Sequence, residues 1–322
     1  MLSSRENMLR TIRRDKSQWI PYRYDRSLTA LRPAVCIKKE EGGLDDWGVM
    51  WLPTKDAEGC YTDGNPVTII DDVENFLSPD TDFNMVTEDL RQQIRSLDNK
   101  DTVIFSYCDF VLFERAQFIL GTINLLIEVL KNTEKVEILL ETITQYHLKL
   151  VEAMMITGID GIRFCDDWGM QTAMFLNPDL WRKIIKPRIK RLYEIVKKYD
   201  GIVWQHSCGH IEEIIPDLIE IGVDIIDPCQ PAANNVLMWK REYGKKLSFL
   251  GGIDTQSYLS FGSPEEVKAK TKEFIKFMSK DGGYIAAPSH TISFPPENKN
   301  AMIDAIDEVN VELVNNINTL NY

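Results

Sequence analysis

Seven short runs rich in apolar, β-branched and aromatic residues recur at 20–24, 103–107, 159–164, 202–205, 223–226, 247–250 and 284–287, and helical patterns fill most of the intervals between them. Strand followed by helix, repeated, predicts a parallel sheet with helices outside it. The helical stretches are amphipathic. One spans 136–156, with Gly158 where a helix would end, and another spans 179–199, with Pro187 expected to kink it. A third, 210–221, precedes Gly222, and Ser263-Pro264-Glu265-Glu266 reads as a capping box opening a helix at 265–279. A last helix is expected at 297–314. A (β/α)8 TIM barrel over residues 1–322 as a single domain fits this order, with 67–70 as the candidate for the eighth strand. An open doubly wound sheet is the competing topology, but no glycine-rich phosphate loop follows an early strand. The barrel is expected to carry an N-terminal extension. It also carries an inserted loop or hairpin near 40–72, where Gly42-Gly43, Trp47 and Trp51 break the alternation.

The net charge of −12 argues against nucleic acid or an anionic membrane surface as partner, and no local basic patch stands out in the sequence. Lys186 to Lys198 is basic at helical spacing and reads as the solvated face of an amphipathic helix. No apolar run is long enough for a membrane span, and no signal core opens the chain. The six cysteines show no Cys-x-x-Cys pairing, so a cytoplasmic setting is expected.

The chemistry concentrates at strand ends. Ile202-Val203-Trp204-Gln205 runs into His206-Ser207-Cys208-Gly209, and an imidazole and a thiol two residues apart project to one side of an extended chain. Tyr284-Ile285-Ala286-Ala287 runs into Pro288-Ser289-His290. His206, Cys208 and His290 together would make a three-ligand zinc site with an open position, and Cys229 is the alternative third ligand. Gln230 beside it is placed to hydrogen-bond a substrate. The adjacent pair Asp166 and Asp167 ends the run 159–164 and can bind metal, act as general acid or cap a turn. Asp254 follows Gly251-Gly252-Ile253 at another strand end, where a ligand can approach the backbone. Trp47 and Trp168 either shield an apolar pocket or pack the lid.

Trp19-Ile20-Pro21, His206-Ser207-Cys208-Gly209, Leu250-Gly251-Gly252-Ile253-Asp254, Phe261-Gly262-Ser263-Pro264-Glu265-Glu266-Val267, Gly282-Gly283-Tyr284-Ile285 and Pro295-Pro296-Glu297-Asn298 together resemble the uroporphyrinogen decarboxylase superfamily. The resemblance covers nearly the whole chain and implies a (β/α)8 barrel. The decarboxylases carry Arg-Gln-Ala-Gly-Arg after the first strand; here that region reads Tyr22-Arg23-Tyr24-Asp25-Arg26-Ser27-Leu28. The superfamily's other branch contains methyltransferases of corrinoid metabolism. Their zinc-binding His-x-Cys maps onto His206 and Cys208, and the position of their later Cys falls on His290. The Asp-Asp-Trp-Gly loop and Pro-Ser-His ending look most like the O-demethylase type. The resemblance therefore implies Zn2+ and methyl transfer from a small donor to a corrinoid. A methoxylated aromatic is favoured over methanol, a methylamine or a methyl thiol. No Asp-x-His-x-x-Gly cobalamin motif is present, so the corrinoid is expected on a separate partner protein. The alternatives are a tetrapyrrole decarboxylase and a non-catalytic zinc-binding barrel.

Overall fold

The computed structural model describes residues 1–35, 41–54 and 60–320; Cys36, Glu40 and residues 55–59 of the expected insertion lie outside this set. After β1 (Leu28–Leu31), the insertion forms an antiparallel sheet of β2 (Gly43–Leu44), β3 (Met50–Pro53) and β4 (Cys60–Gly64). The chain then lays down β5 (Val103–Asp109), β6 (Gly161–Cys165), β7 (Ile202–His206), β8 (Ile225–Asp227), β9 (Ser248–Ile253) and β10 (Tyr284–Pro288). These six pair in parallel with β1 as one curled sheet in the order β1-β5-β6-β7-β8-β9-β10, with helices around it: a TIM-type barrel. Six of the seven expected strands lie where the apolar runs placed them.

The first does not. Residues 20–24 make a single bridge, Tyr22 to Ala286 of β10, in which Arg23 N–H donates to Ala286 O at 2.9 Å and Ala286 N–H to Pro21 O at 2.8 Å. Asp25 stops the strand there: its carboxylate accepts from Tyr22 N–H at 3.0 Å and Ser27 N–H at 2.7 Å, a side-chain turn that competes with pairing. The chain turns and enters β1, so the segment 21–31 spans the gap between the two edges of the sheet. Residues 67–70 supply no strand. Val67 is pinned to the helix Phe113–Leu120 through Ile119 O at 3.1 Å, and a 3-10 helix begins at Ile70. Pro187 breaks the expected long helix into Pro178–Ile184 and Lys186–Lys198.

Strand alternation divides the core in two. Val103, Phe105, Trp204, Ile225, Leu250, Ile285 and Ala287 fill the barrel lumen, and Met8 and Ile12 of the helix Ser4–Ile12 plug it from below. The remaining buried residues pack the outer face of the sheet against the helices and the insertion. Among the described residues no helix is long and apolar enough to cross a membrane.

The insertion is fastened to the barrel by a buried ion pair. Asp45 accepts from Arg115 Nη1 at 2.9 Å and Trp51 Nε1 at 3.0 Å, and both charged side chains are nearly inaccessible. Asp45→Ala would strand the guanidinium in the core. It should cost about 3–5 kcal/mol in urea unfolding, most of it restored in Asp45→Ala/Arg115→Met. An unchanged midpoint in the single variant would show that the pair does not hold the insertion down.

Candidate metal centre at the barrel mouth

The parallel register sets Asp109, Cys165, His206 and Asp227 side by side as one inward layer, directly above Tyr107, Arg163, Trp204 and Ile225. The upper layer is the C-terminal rim of the barrel, the end at which barrel enzymes place their chemistry. Two loops complete it. Gly209 has φ +77°, and a Cβ there would lie 2.2 Å from Gly169 O; one on Gly169 would lie 2.4 Å from His210 N. Glycine at both positions lets the loops after β6 and β7 meet backbone to backbone, tied by His210 N–H to Met170 O at 2.7 Å. That contact sets Asp167 beside Cys208, whose N–H donates to Asp167 Oδ1 at 2.8 Å.

Asp167, His206 and Cys208 each present a ligand atom, all within 4.8 Å of one another. Cys208 Sγ lies 3.5 Å from His206 Nε2, and Asp167 Oδ1 lies 3.6 Å from the same nitrogen. Donors at zinc's tetrahedral bond lengths stand about 3.4–3.6 Å apart, so this nitrogen, sulfur and oxygen set fits that ion with little movement and leaves a fourth position open.

The ring is held from behind. His206 Nδ1 lies 2.9 Å from Asp227 Oδ2, so a proton on Nδ1 leaves the Nε2 lone pair facing the other two donors. Asp227 is fully buried and also accepts from Arg163 Nη2 at 2.9 Å and Trp204 Nε1 at 2.6 Å, with Arg23 Nη1 at 3.8 Å. Burial works to raise its pKa, but Arg163, His206 and Arg23 outweigh burial and hold the carboxyl well below the usual carboxylate range. Arg163 Nη2 also comes within 2.8 Å of His206 Nδ1. With the proton on Nδ1 this is a contact between two donors, imposed because both converge on Asp227 Oδ2. Burial, then the Asp167 and Asp227 charges, push the Cys208 thiol well above its ordinary value, so a bound cation would have to displace its proton.

Glu114, in the first turn of the helix Phe113–Leu120, stands next to this group: its Oε2 accepts from Asp167 N–H at 3.2 Å. Burial, then the charges of Asp167 and Asp166, raise its carboxyl well above the ordinary value. Sequence reading missed it, together with Arg163 and Asp227. The signal for Arg163 was present, since period-two alternation from Cys165 puts an arginine inside an otherwise apolar strand.

The other expected residues fall elsewhere. His290 is exposed and outside the group. Alternation past β10 buries Ser289 instead, whose Oγ lies 3.1 Å from Thr255 Oγ1, and turns the next residue outward. Cys229 is buried, with its thiol 3.4 Å from Ile226 O of its own strand end. Asp166 points away from Asp167: its carboxylate accepts from Leu112, Phe113 and Glu114 N–H at 3.2, 3.0 and 2.9 Å and from Trp168 Nε1 at 2.7 Å. It thus seats the helix that carries Glu114; burial pushes it up to about 6 against those four donors. Trp168 packs on Trp181 beneath the rim, and Trp47 packs on Tyr146 and His147 away from it. Asp254 caps its own turn through Gln256 N–H at 2.8 Å. Gln230 does reach the rim, accepting from Gly209 N–H at 2.5 Å.

A parallel barrel with a mixed nitrogen, sulfur and oxygen donor set at its C-terminal rim defines the class of protein. The sequence profile of the uroporphyrinogen decarboxylase family (URO-D) matches residues 64–309, and the chain belongs to that family. No curated protein matches it in sequence. Among solved structures, the methyltransferase from Methanosarcina mazei is similar with a TM-score of 0.72 at 15% identity, covering 96% of this chain and 99% of that one. The B12-independent methionine synthase from Shewanella sp. W3-18-1, in complex with selenomethionine, reaches a TM-score of 0.47 at 13% identity over 84% of this chain and 76% of its own. The first likeness is one of fold; the second is too distant to build on.

Proposed function

We propose that the chain is a zinc-dependent methyltransferase that moves a methyl group from a small donor, with methoxylated aromatics favoured, to a corrinoid carried on a separate protein. One observation carries the reading. His206 Nε2 stands 3.5 Å from Cys208 Sγ and 3.6 Å from Asp167 Oδ1, the spacing of zinc ligands, at the catalytic end of the barrel. The shared fold of the Methanosarcina mazei methyltransferase supports it. Asp167 takes the ligand place that the resemblance gave to His290.

When bound, zinc would act as Lewis acid on the donor oxygen. The chain's own residues do the rest. Asp227 and Arg163 fix the orientation of the His206 ring. Glu114 holds a proton: with Oε2 engaged by the Asp167 N–H, Oε1 is the oxygen that carries it. It delivers that proton to the leaving oxygen as the carbon–oxygen bond breaks and its electron pair stays on oxygen. Asp166, spent on four N–H donors, seats Glu114.

The test is direct. The zinc-loaded chain, a reduced corrinoid protein and a methoxylated aromatic should give the absorption change of corrinoid methylation together with the free phenol. Conversion of uroporphyrinogen without metal, and no methylation from any donor, would overturn the assignment in favour of a decarboxylase.

A further inference from the structure

The sequence shows no basic patch, yet the fold assembles one from three separate segments. Arg13 and Arg14 follow the plug helix, Lys240 and Arg241 lie in the helix Val236–Tyr243 with Lys245 just beyond it, and Lys280 follows the helix Pro264–Met278. Together they line a concavity of about 750 Å³ in which Asp281 is the one acidic residue. It lies at the start of β9 and β10: Arg14 Nη1 donates to Ser248 Oγ at 3.2 Å, and Lys240 Nζ donates to Gly282 O at 2.6 Å. His206 ends a strand of the same sheet, so the concavity opens at the other end of the barrel from the metal centre.

On the outer helices, by contrast, Lys186 is neutralised by Asp217, Lys197 by Asp224 and Lys268 by Glu308. Among the described residues none of the six around the concavity stands in a salt bridge. Lys240 is only 8% exposed. Burial pulls its amine down to about 8, with Asp281 opposing and Arg14 adding to the fall. A buried ammonium with a neighbouring guanidinium and no carboxylate at contact distance is stabilised by an anion placed between them.

We propose that this concavity binds a compact polyphosphate, as the phosphate chain of a nucleotide or as free inorganic triphosphate. Six positive groups call for several negative charges within one small ligand. Guanidinium forks take phosphate oxygens in pairs, and lysines add point charges. A long polyanion suits the site less well, because the rest of a chain with net charge −12 repels it. Phe277, in the lining with the Arg241 guanidinium 5.2 Å from its ring centroid, offers an aromatic face beside the phosphate site.

Calorimetric titration of the full chain with inorganic triphosphate, and separately with ATP, tests this. One saturable site is expected. Arg241→Glu and Lys245→Glu, both at exposed positions that folding tolerates, should each weaken it by about tenfold or more. Lys240→Met should do the same. ATP binding more tightly than triphosphate assigns the site to a nucleotide, and equal affinities assign it to the phosphate chain alone; either upholds the site. No binding at millimolar triphosphate, or affinities unaltered in both exposed variants, overturns it.

Discussion

Cys208→Ala should leave the purified chain without zinc and without methyl transfer. The wild type should carry about one zinc per chain, and His206→Ala and Asp167→Ala should lose it as Cys208→Ala does. Among the described residues these are the three side chains whose donor atoms lie within 4.8 Å of one another. Asp227→Asn keeps all three but removes the carboxylate behind the imidazole, and should weaken zinc by about 10–100-fold. His290→Ala should keep its full metal. Elemental analysis of the five variants decides the ligand set: zinc lost with His290 and kept without Asp167 would restore the His-Cys-His site. Chelation should remove activity while leaving the fold, because the lumen is filled by its own apolar layer and plugged by Met8 and Ile12. Unfolding on chelation would instead mark a structural metal.

Glu114→Gln should slow methyl transfer from an aryl methyl ether by about 10²–10⁴-fold, the usual contribution of a positioned general acid. The same change should barely touch a donor whose leaving group departs without a proton. Equal slowing with both donors would make Glu114 a positioning residue for Asp167. The pH dependence has a definite sign. Burial and two carboxylate neighbours raise the Glu114 pKa, so the acid form is present below that raised value and is lost as pH rises through it. Burial, the largest of these causes, persists when an ion neutralises Asp167, so transfer from the ether should fall on the alkaline side, and Glu114→Gln should flatten that limb. By linkage, the folded chain holds this proton more tightly than the unfolded one. The associated stability is complete below the ordinary carboxyl pKa and is lost as pH rises through the folded value.

Much of the fold was legible because parallel strands buried on both faces read as continuous apolar runs, as at 202–204 and 284–287. The strand expected at 20–24 failed on a single side chain. Asp25 gives Tyr22 and Ser27 a turn to bond with, and runs of hydrophobicity are blind to that. His206 and Cys208 were legible because both sit at one strand end and share its alternation. The third donor was not: Asp167 reaches them only because two loops meet at Gly169 and Gly209, a contact between segments some forty residues apart. Alternation separates Asp166 from Asp167, but it could not tell which of the two faced the rim. Glu114 was hidden by its helix, since a glutamate in a first turn reads as ordinary capping.

The plugged floor of the barrel has a kinetic consequence. With Met8 and Ile12 closing the lumen from below, the candidate metal site lies on the rim side of a filled barrel, so ligands would reach it from the C-terminal rim. On the proposed function, a small donor and a corrinoid carrier would share that approach, the donor loading first and the carrier seating over it. A large excess of carrier should slow turnover by shutting out fresh donor, whereas excess donor should not impede the carrier. A plot of rate against carrier concentration would then rise, peak and fall.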